Sequence, residues 1–211
     1  MKLLKQAALA IATTVVAASA YAGPFTVAST SFTLGTGYGT GNGGNSVNNF
    51  LDVVFTPLAV PATFNLAAGQ SYSFDFATVQ LRETCINPGG CSGNNGQNET
   101  DNLDVTANFS FTSPLSGAVH NVALAGAVPG TVGDAGADFW IDFAPVTVQF
   151  GNGGLFSIDL SDLMFYGNTT LTTRATITLI NDSQAEVPEP GSLALLGLGL
   201  AGLGALRRRR A

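Results

Sequence analysis

The chain has 211 residues, of which 10% are charged, and a formal net charge of −6. Both lysines lie within the first five residues and four arginines near the end, so residues 23–186 carry only Arg82 and Arg174 against 13 acidic residues, a balance of 2 − 13 = −11. Nucleic acid and anionic lipid repel such a body, which excludes them as partners.

Met1 to Ala22 read as a secretory signal peptide. Lys2 and Lys5 form its basic start, Ala7 to Ala18 its short apolar run, and Ala20-Tyr21-Ala22 an A-x-A cleavage site that leaves Gly23 as the new N-terminus. Residues 23–186 then suit one domain, large enough to bury about 70% of its unfolded surface. Their pattern is strand upon strand. Phe25 to Leu34 is rich in β-branched and aromatic residues, and Phe50 to Phe55 follows a Gly/Asn loop. Thr63 to Leu66 leads into Ser71 to Thr84, where Tyr72, Phe74 and Phe76 alternate with Ser73, Asp75 and Ala77. Leu103, Val105, Ala107, Phe109 and Phe111 share one side of the next run. Val119 to Leu124, Phe139 to Phe150, Leu155 to Phe165 and Thr170 to Ile180 complete the series, the last with Leu171, Thr173, Ala175, Ile177 and Leu179 facing one way. No helical window stands out. The expectation is an all-β fold, a single β-sandwich with a jelly-roll-like arrangement as one option and an open barrel as the alternative.

Two segments read as loops. Gly35 to Gly44 contains Gly-x-Gly spacing, but no helix opens after it, so it is no phosphate cradle. Asn87 to Asn102 is a long polar loop and the best surface candidate for a partner. Cys85 and Cys91 flank a turn signal, Asn87-Pro88-Gly89, at its base. In an exported protein they are expected to form a disulfide. Closing a loop of about 7 residues contributes roughly 2 kcal/mol in the chain-entropy estimate.

Little in the body points to chemistry, and no catalytic residue, cofactor or metal site is expected. Glu99, Asp101 and Asp104, or Asp134, Asp138 and Asp142, could supply oxygens to calcium, but solvated carboxylates are the simpler reading. Glu83 and Glu99 could form a glycosidase pair only if the fold set them at a suitable separation. His120 is the sole histidine and reads as structural. Trp140, Tyr38, Tyr72 and Tyr166 could stack on sugar rings, although Trp140, between Phe139 and Ile141, reads as core.

The last 25 residues are the most specific. Pro188-Glu189-Pro190 is held extended by its prolines. Gly191 to Leu206 is an uncharged run of about 24 Å as a helix, a short transmembrane span. Arg207, Arg208, Arg209 and Arg210 form a stop that stays cytoplasmic and leaves the body outside the inner membrane. Residues 187–211 thus resemble the PEP-CTERM sorting signal of Gram-negative bacteria. The resemblance implies an inner-membrane precursor that a protease-transpeptidase, exosortase, recognises and cleaves, after the secretory translocon and signal peptidase have acted at the other end. It further implies release to, or attachment at, the cell surface in an exopolysaccharide setting, where the protein would be a non-enzymatic structural or adhesive component. A carbohydrate- or calcium-binding module is the alternative, and a surface hydrolase the second alternative.

Overall fold

The computed structural model describes residues 24–40, 50–60, 63–87 and 99–183. The expected signal peptide, with Ala20, Ala22 and Gly23, lies outside these residues, as does the whole C-terminal signal from residue 187. In chain order the strands are β1 (Thr26–Leu34), β2 (Tyr38–Gly39), β3 (Leu51–Pro57), β4 (Ser71–Leu81), β5 (Cys85–Ile86), β6 (Val105–Ser113) and β7 (Gly117–Ala127). They continue as β8 (Gly130–Thr131), β9 (Phe139–Phe143), β10 (Val146–Phe150), β11 (Gly154–Leu160), β12 (Leu163–Phe165) and β13 (Thr170–Asn181). No helix occurs among the described residues, so the all-β expectation holds. One sheet has the order β1-β6-β7-β9-β12, the other β10-β11-β13-β4-β3-β2, and β5 pairs with β8 in a small ribbon.

The two large sheets meet face to face through aromatic rings, an arrangement consistent with a β-sandwich. Phe32 of β1 and Phe109 of β6 pack on Phe76 of β4 at ring-centroid distances of 5.2 and 4.8 Å. Phe111 of β6 packs on Phe156 of β11 at 5.5 Å, and Phe25 meets the same ring edge-on at 5.3 Å. Of the chain's 14 phenylalanines, Phe50 alone is exposed. Every ring inside removes apolar area from water, and tilted and edge-on pairs add about 0.5–1.5 kcal/mol each beyond that burial. The period-2 strands deliver these rings. On β6, Val105, Ala107, Phe109 and Phe111 are all buried while the residues between them are not.

The alternation breaks at one informative place. Thr173 pairs with Ala77 and Arg174 with Asp75, so β4 carries an extra residue, a β-bulge. Phe74 and Phe76 point inward before it, Ala77, Val79 and Leu81 after it. Sequence alternation had placed Ala77 on the outer side, and the bulge reverses it. Tyr72, expected on the core face, is 38% exposed and stacks on Phe64 at 4.3 Å.

Two expected strands are each two strands in different sheets. The run Phe139 to Phe150 breaks at Ala144-Pro145, because Pro145 cannot donate to a ladder. Its first half, β9, joins the five-stranded sheet and its second half, β10, the six-stranded one. The run Leu155 to Phe165 breaks at Ser161-Asp162 and crosses back. The corners tie to each other, since Asp162 Oδ1 accepts the Phe143 N–H at 2.9 Å. The second corner is also held on β13. Thr173 donates its hydroxyl to the Ser161 carbonyl, and the Arg174 N–H donates to Ser161 Oγ, both at 2.9 Å. Because of these crossings β11 and β13 are neighbours in one sheet although β12, between them in the chain, belongs to the other. Thr63 to Leu66 forms only an isolated bridge, Phe64 to Phe25.

Phe156 is fully buried and touches Phe25, Phe111 and Phe150. Phe156→Ala should lower the unfolding free energy by about 3–5 kcal/mol, read as a shift in urea midpoint at unchanged slope. Tyr72→Ala should cost much less in the same titration.

Candidate functional site

The glycine run after β1 is built for close approach. The Gly35 N–H donates to the Asp104 carbonyl at 2.7 Å and the Gly37 N–H to the Asn102 carbonyl at 3.0 Å. A Cβ on Gly35 would come within 2.1 Å of the Asn102 carbonyl oxygen, and one on Gly37 within 2.0 Å of that of Asp101. The Gly-x-Gly spacing therefore lets the end of the polar loop lie directly on this backbone. The run is not all loop, because Tyr38–Gly39 is β2, parallel to the start of β3. Between these glycines Tyr38 turns inward, donates its hydroxyl to the Leu103 carbonyl at 2.9 Å and packs on Phe55 and Phe139. Burial, helped by the Asp104 charge, pushes its phenol far above the usual range.

Beneath this crossing sit three carboxylates. Asp52, Glu83 and Glu99 are 6%, 4% and 6% exposed. Asp52 is the only charge in β3, and its Oδ1 would lie 2.6 Å from a Cβ on Gly39. The Asp52 N–H donates to Glu83 Oε1 at 2.7 Å, while its carbonyl accepts the Arg82 N–H at 2.8 Å. On the loop side the Asn87 N–H donates to Glu99 Oε2 at 3.0 Å, and the Glu99 N–H donates back to the Asn87 carbonyl at 3.1 Å. Glu83 thus clasps the exit of β4 to the start of β3, and Glu99 clasps the two ends of the polar loop. Burial, reinforced by the charges of Glu99 and Asp52 and opposed by the Asp52 N–H, pushes Glu83 up to about 7. Glu99 is raised mainly by burial and then by Asp52, against the Asn87 N–H. The structure therefore brings Glu83 and Glu99 together, with Asp52 as a third member that sequence reading missed. Its signal was a lone acid inside an apolar strand. Glu83 and Glu99 each accept a backbone N–H that ties two segments of the chain together.

The other residues of interest are scattered. Asp101 and Asp104 are exposed, whereas Glu99 is buried in its clasp. Asp138 Oδ2 accepts the Gly133 N–H and Asp134 Oδ1 the Gly136 N–H, both as loop ties, at 3.0 and 2.9 Å. Asp142 faces outward on β9. Among the described residues no group of three or more His, Cys, Asp or Glu is placed to hold a metal ion. His120 is exposed on β7, with Nδ1 2.6 Å from Asn108 Oδ1. The sugar-stacking quartet divides: Tyr38 is in the core side and Tyr72 on the other sheet, while Trp140 and Tyr166 share the outer face of the five-stranded sheet. Cys85 opens β5, and no described cysteine is a free thiol. Cys91 lies outside the described residues, as do Pro188, Glu189, Pro190 and Arg207 to Arg210.

Residues 186–210 match the family model described as the PEP-CTERM protein-sorting motif. No curated protein and no solved structure matches the chain.

Because Glu83 holds its proton to about pH 7 in the folded state, against an ordinary value of 4.5, the unfolded chain releases that proton first as pH rises. The contribution of Glu83 to stability is then fully present below pH 4.5 and is lost as pH rises to about 7. Glu83→Gln should flatten that decline in thermal midpoints measured between these limits. An unchanged pH profile in the variant would remove Glu83 as the source.

Proposed function

We propose that this chain, exported and sorted through its PEP-CTERM motif as an exosortase substrate, works as a structural or adhesive component of an exopolysaccharide matrix at the cell surface. The match at residues 186–210 carries the route. The order of residue types there supports it physically: prolines at 188 and 190 favour extended chain around Glu189, an apolar run suits lipid, and clustered arginines suit a cytoplasmic stop. In this reading the translocon and signal peptidase deliver the body outward, with Gly23 as its first residue. The inner membrane holds the precursor, and exosortase acts at the Pro-Glu-Pro boundary.

The body suits a passive extracellular role. Its two arginines are engaged, Arg174 with Asp75 at 3.2 Å on the surface and half-buried Arg82 with Gln80 at 3.0 Å. Its most perturbed carboxylates are buried in ties between segments. We therefore read it as non-enzymatic and without a cofactor. A Cys85–Cys91 disulfide would close the base of the polar loop, which Glu99 already clasps through Asn87. Such a staple suits an oxidising compartment.

Glu189→Ala should leave the domain folded, because the last strand among the described residues ends at Asn181. It should trap full-length protein in the inner membrane. Fractionation with mass spectrometry of both termini reads this directly, and a thiol assay on the same surface material should find no free cysteine. Glu189→Ala protein at the surface with the wild-type C-terminus and yield would contradict the route.

A further inference from the structure

The outer face of the five-stranded sheet is polarised in an unusual way at β7. Asn121 is buried at 1% exposure with neither side-chain amide atom hydrogen-bonded to the protein. Its neighbours Val122 and Leu124 instead point out, 63% and 71% exposed. A one-residue slip would exchange these faces. The register is held against it by Val119 opposite Phe109 and Ala123 opposite Phe143. Large apolar side chains are therefore kept outside at the cost of a buried amide.

Beside them lies an aromatic platform. Gly126, Trp140 and Met164 are direct cross-strand neighbours on β7, β9 and β12. A Cβ on Gly126 would fall 2.7 Å from Trp140 Cζ2, so the glycine is a hollow in which the indole rests on the sheet. Tyr166, 61% exposed, donates its hydroxyl to Met164 Sδ at 2.8 Å and extends the platform past β12. The same face continues across β6 and β1 as a polar ladder. Asn108 accepts from His120 Nδ1 at 2.6 Å and donates to Thr33 Oγ1 at 2.9 Å, which leaves Nε2 as the imidazole's other ring nitrogen. Asp142 is the one formally charged residue in these five strands.

We propose that this face binds a neutral polysaccharide, laid across the sheet from the Trp140–Tyr166 platform to the His120–Asn108–Thr33 ladder. The charge pattern selects the occupant. The face carries no cation for a polyanion or an anionic lipid, and the body around it is acidic. A pyranose ring offers an apolar C–H face for Trp and Tyr and a rim of hydroxyls for imidazole, amide and hydroxyl groups. Apolar and polar halves on one flat face match both. This gives the matrix reading a ligand class, and rests on that reading only for its cellular setting.

Trp140 is the chain's only tryptophan, so its emission reports on the platform alone. The full chain, purified in a polyoxyethylene detergent that carries no sugar, is titrated with neutral hexasaccharides of glucose, mannose and galactose, whatever its sorting in cells. At least one should shift Trp140 emission saturably. Tyr166→Ala should weaken that binding about tenfold, or ~1.4 kcal/mol, while Tyr72→Ala on the other sheet leaves it unchanged. Four results would overturn the proposal: no response to any neutral sugar, by emission or calorimetry; a response only to phospholipid vesicles; a shift with protein concentration alone, which marks a second copy as the occupant; or equal weakening in both tyrosine variants.

Discussion

The contact between Phe76 of one sheet and the Phe32 and Phe109 rings of the other is the interaction on which this fold depends. A sheet presents one apolar face that must be covered, and here each sheet covers the other. With charged residues scarce and phenylalanine abundant, the stabilisation comes from burial and ring packing. The exposed ion pair of Arg174 with Asp75 contributes little by comparison.

The rest follows from keeping that ring layer continuous. The bulge at β4 re-aims the strand so that Ala77, Val79 and Leu81 take over the inner face from Phe74 and Phe76. On the opposite edge of β13 the Arg174 N–H bonds Ser161 Oγ, where the chain crosses between sheets. The crossing at Pro145 is tied to the one at Ser161-Asp162 through Asp162 and Phe143. The glycines at 35 and 37 bring backbone against backbone at the end of the polar loop, and Gly39 leaves room for the Asp52 carboxylate. Burial disfavours the ionised forms of Glu83 and Glu99 there.

Strand identity was legible where period 2 and β-branched or aromatic residues agree, as in Val105 to Ser113 and Thr170 to Asn181. It was less legible at sheet crossings. Both halves of Phe139 to Phe150 are good strand, and only tertiary packing assigns them to different sheets. The bulge was invisible for the same reason, since Phe76 and Ala77 are both apolar and either phase satisfies the pattern. On β7 the residues of both faces are mixed, so alternation alone could not say that Asn121 goes in and Leu124 out. The carboxylate cluster was half legible: Glu83 and Glu99 could be named, but their meeting needs the loop to return to β4, and Asp52 joins from β3. The sorting signal was fully legible, because its chemistry is linear and needs no fold to assemble it.

If the ring layer makes the two sheets one unit, they cannot open separately. Native-state hydrogen exchange of the backbone amides tests this most directly. Amides in β6 of one sheet and in β13 of the other should exchange with one shared opening free energy, equal to that of global unfolding. A lower, separate opening free energy for either sheet would contradict the account.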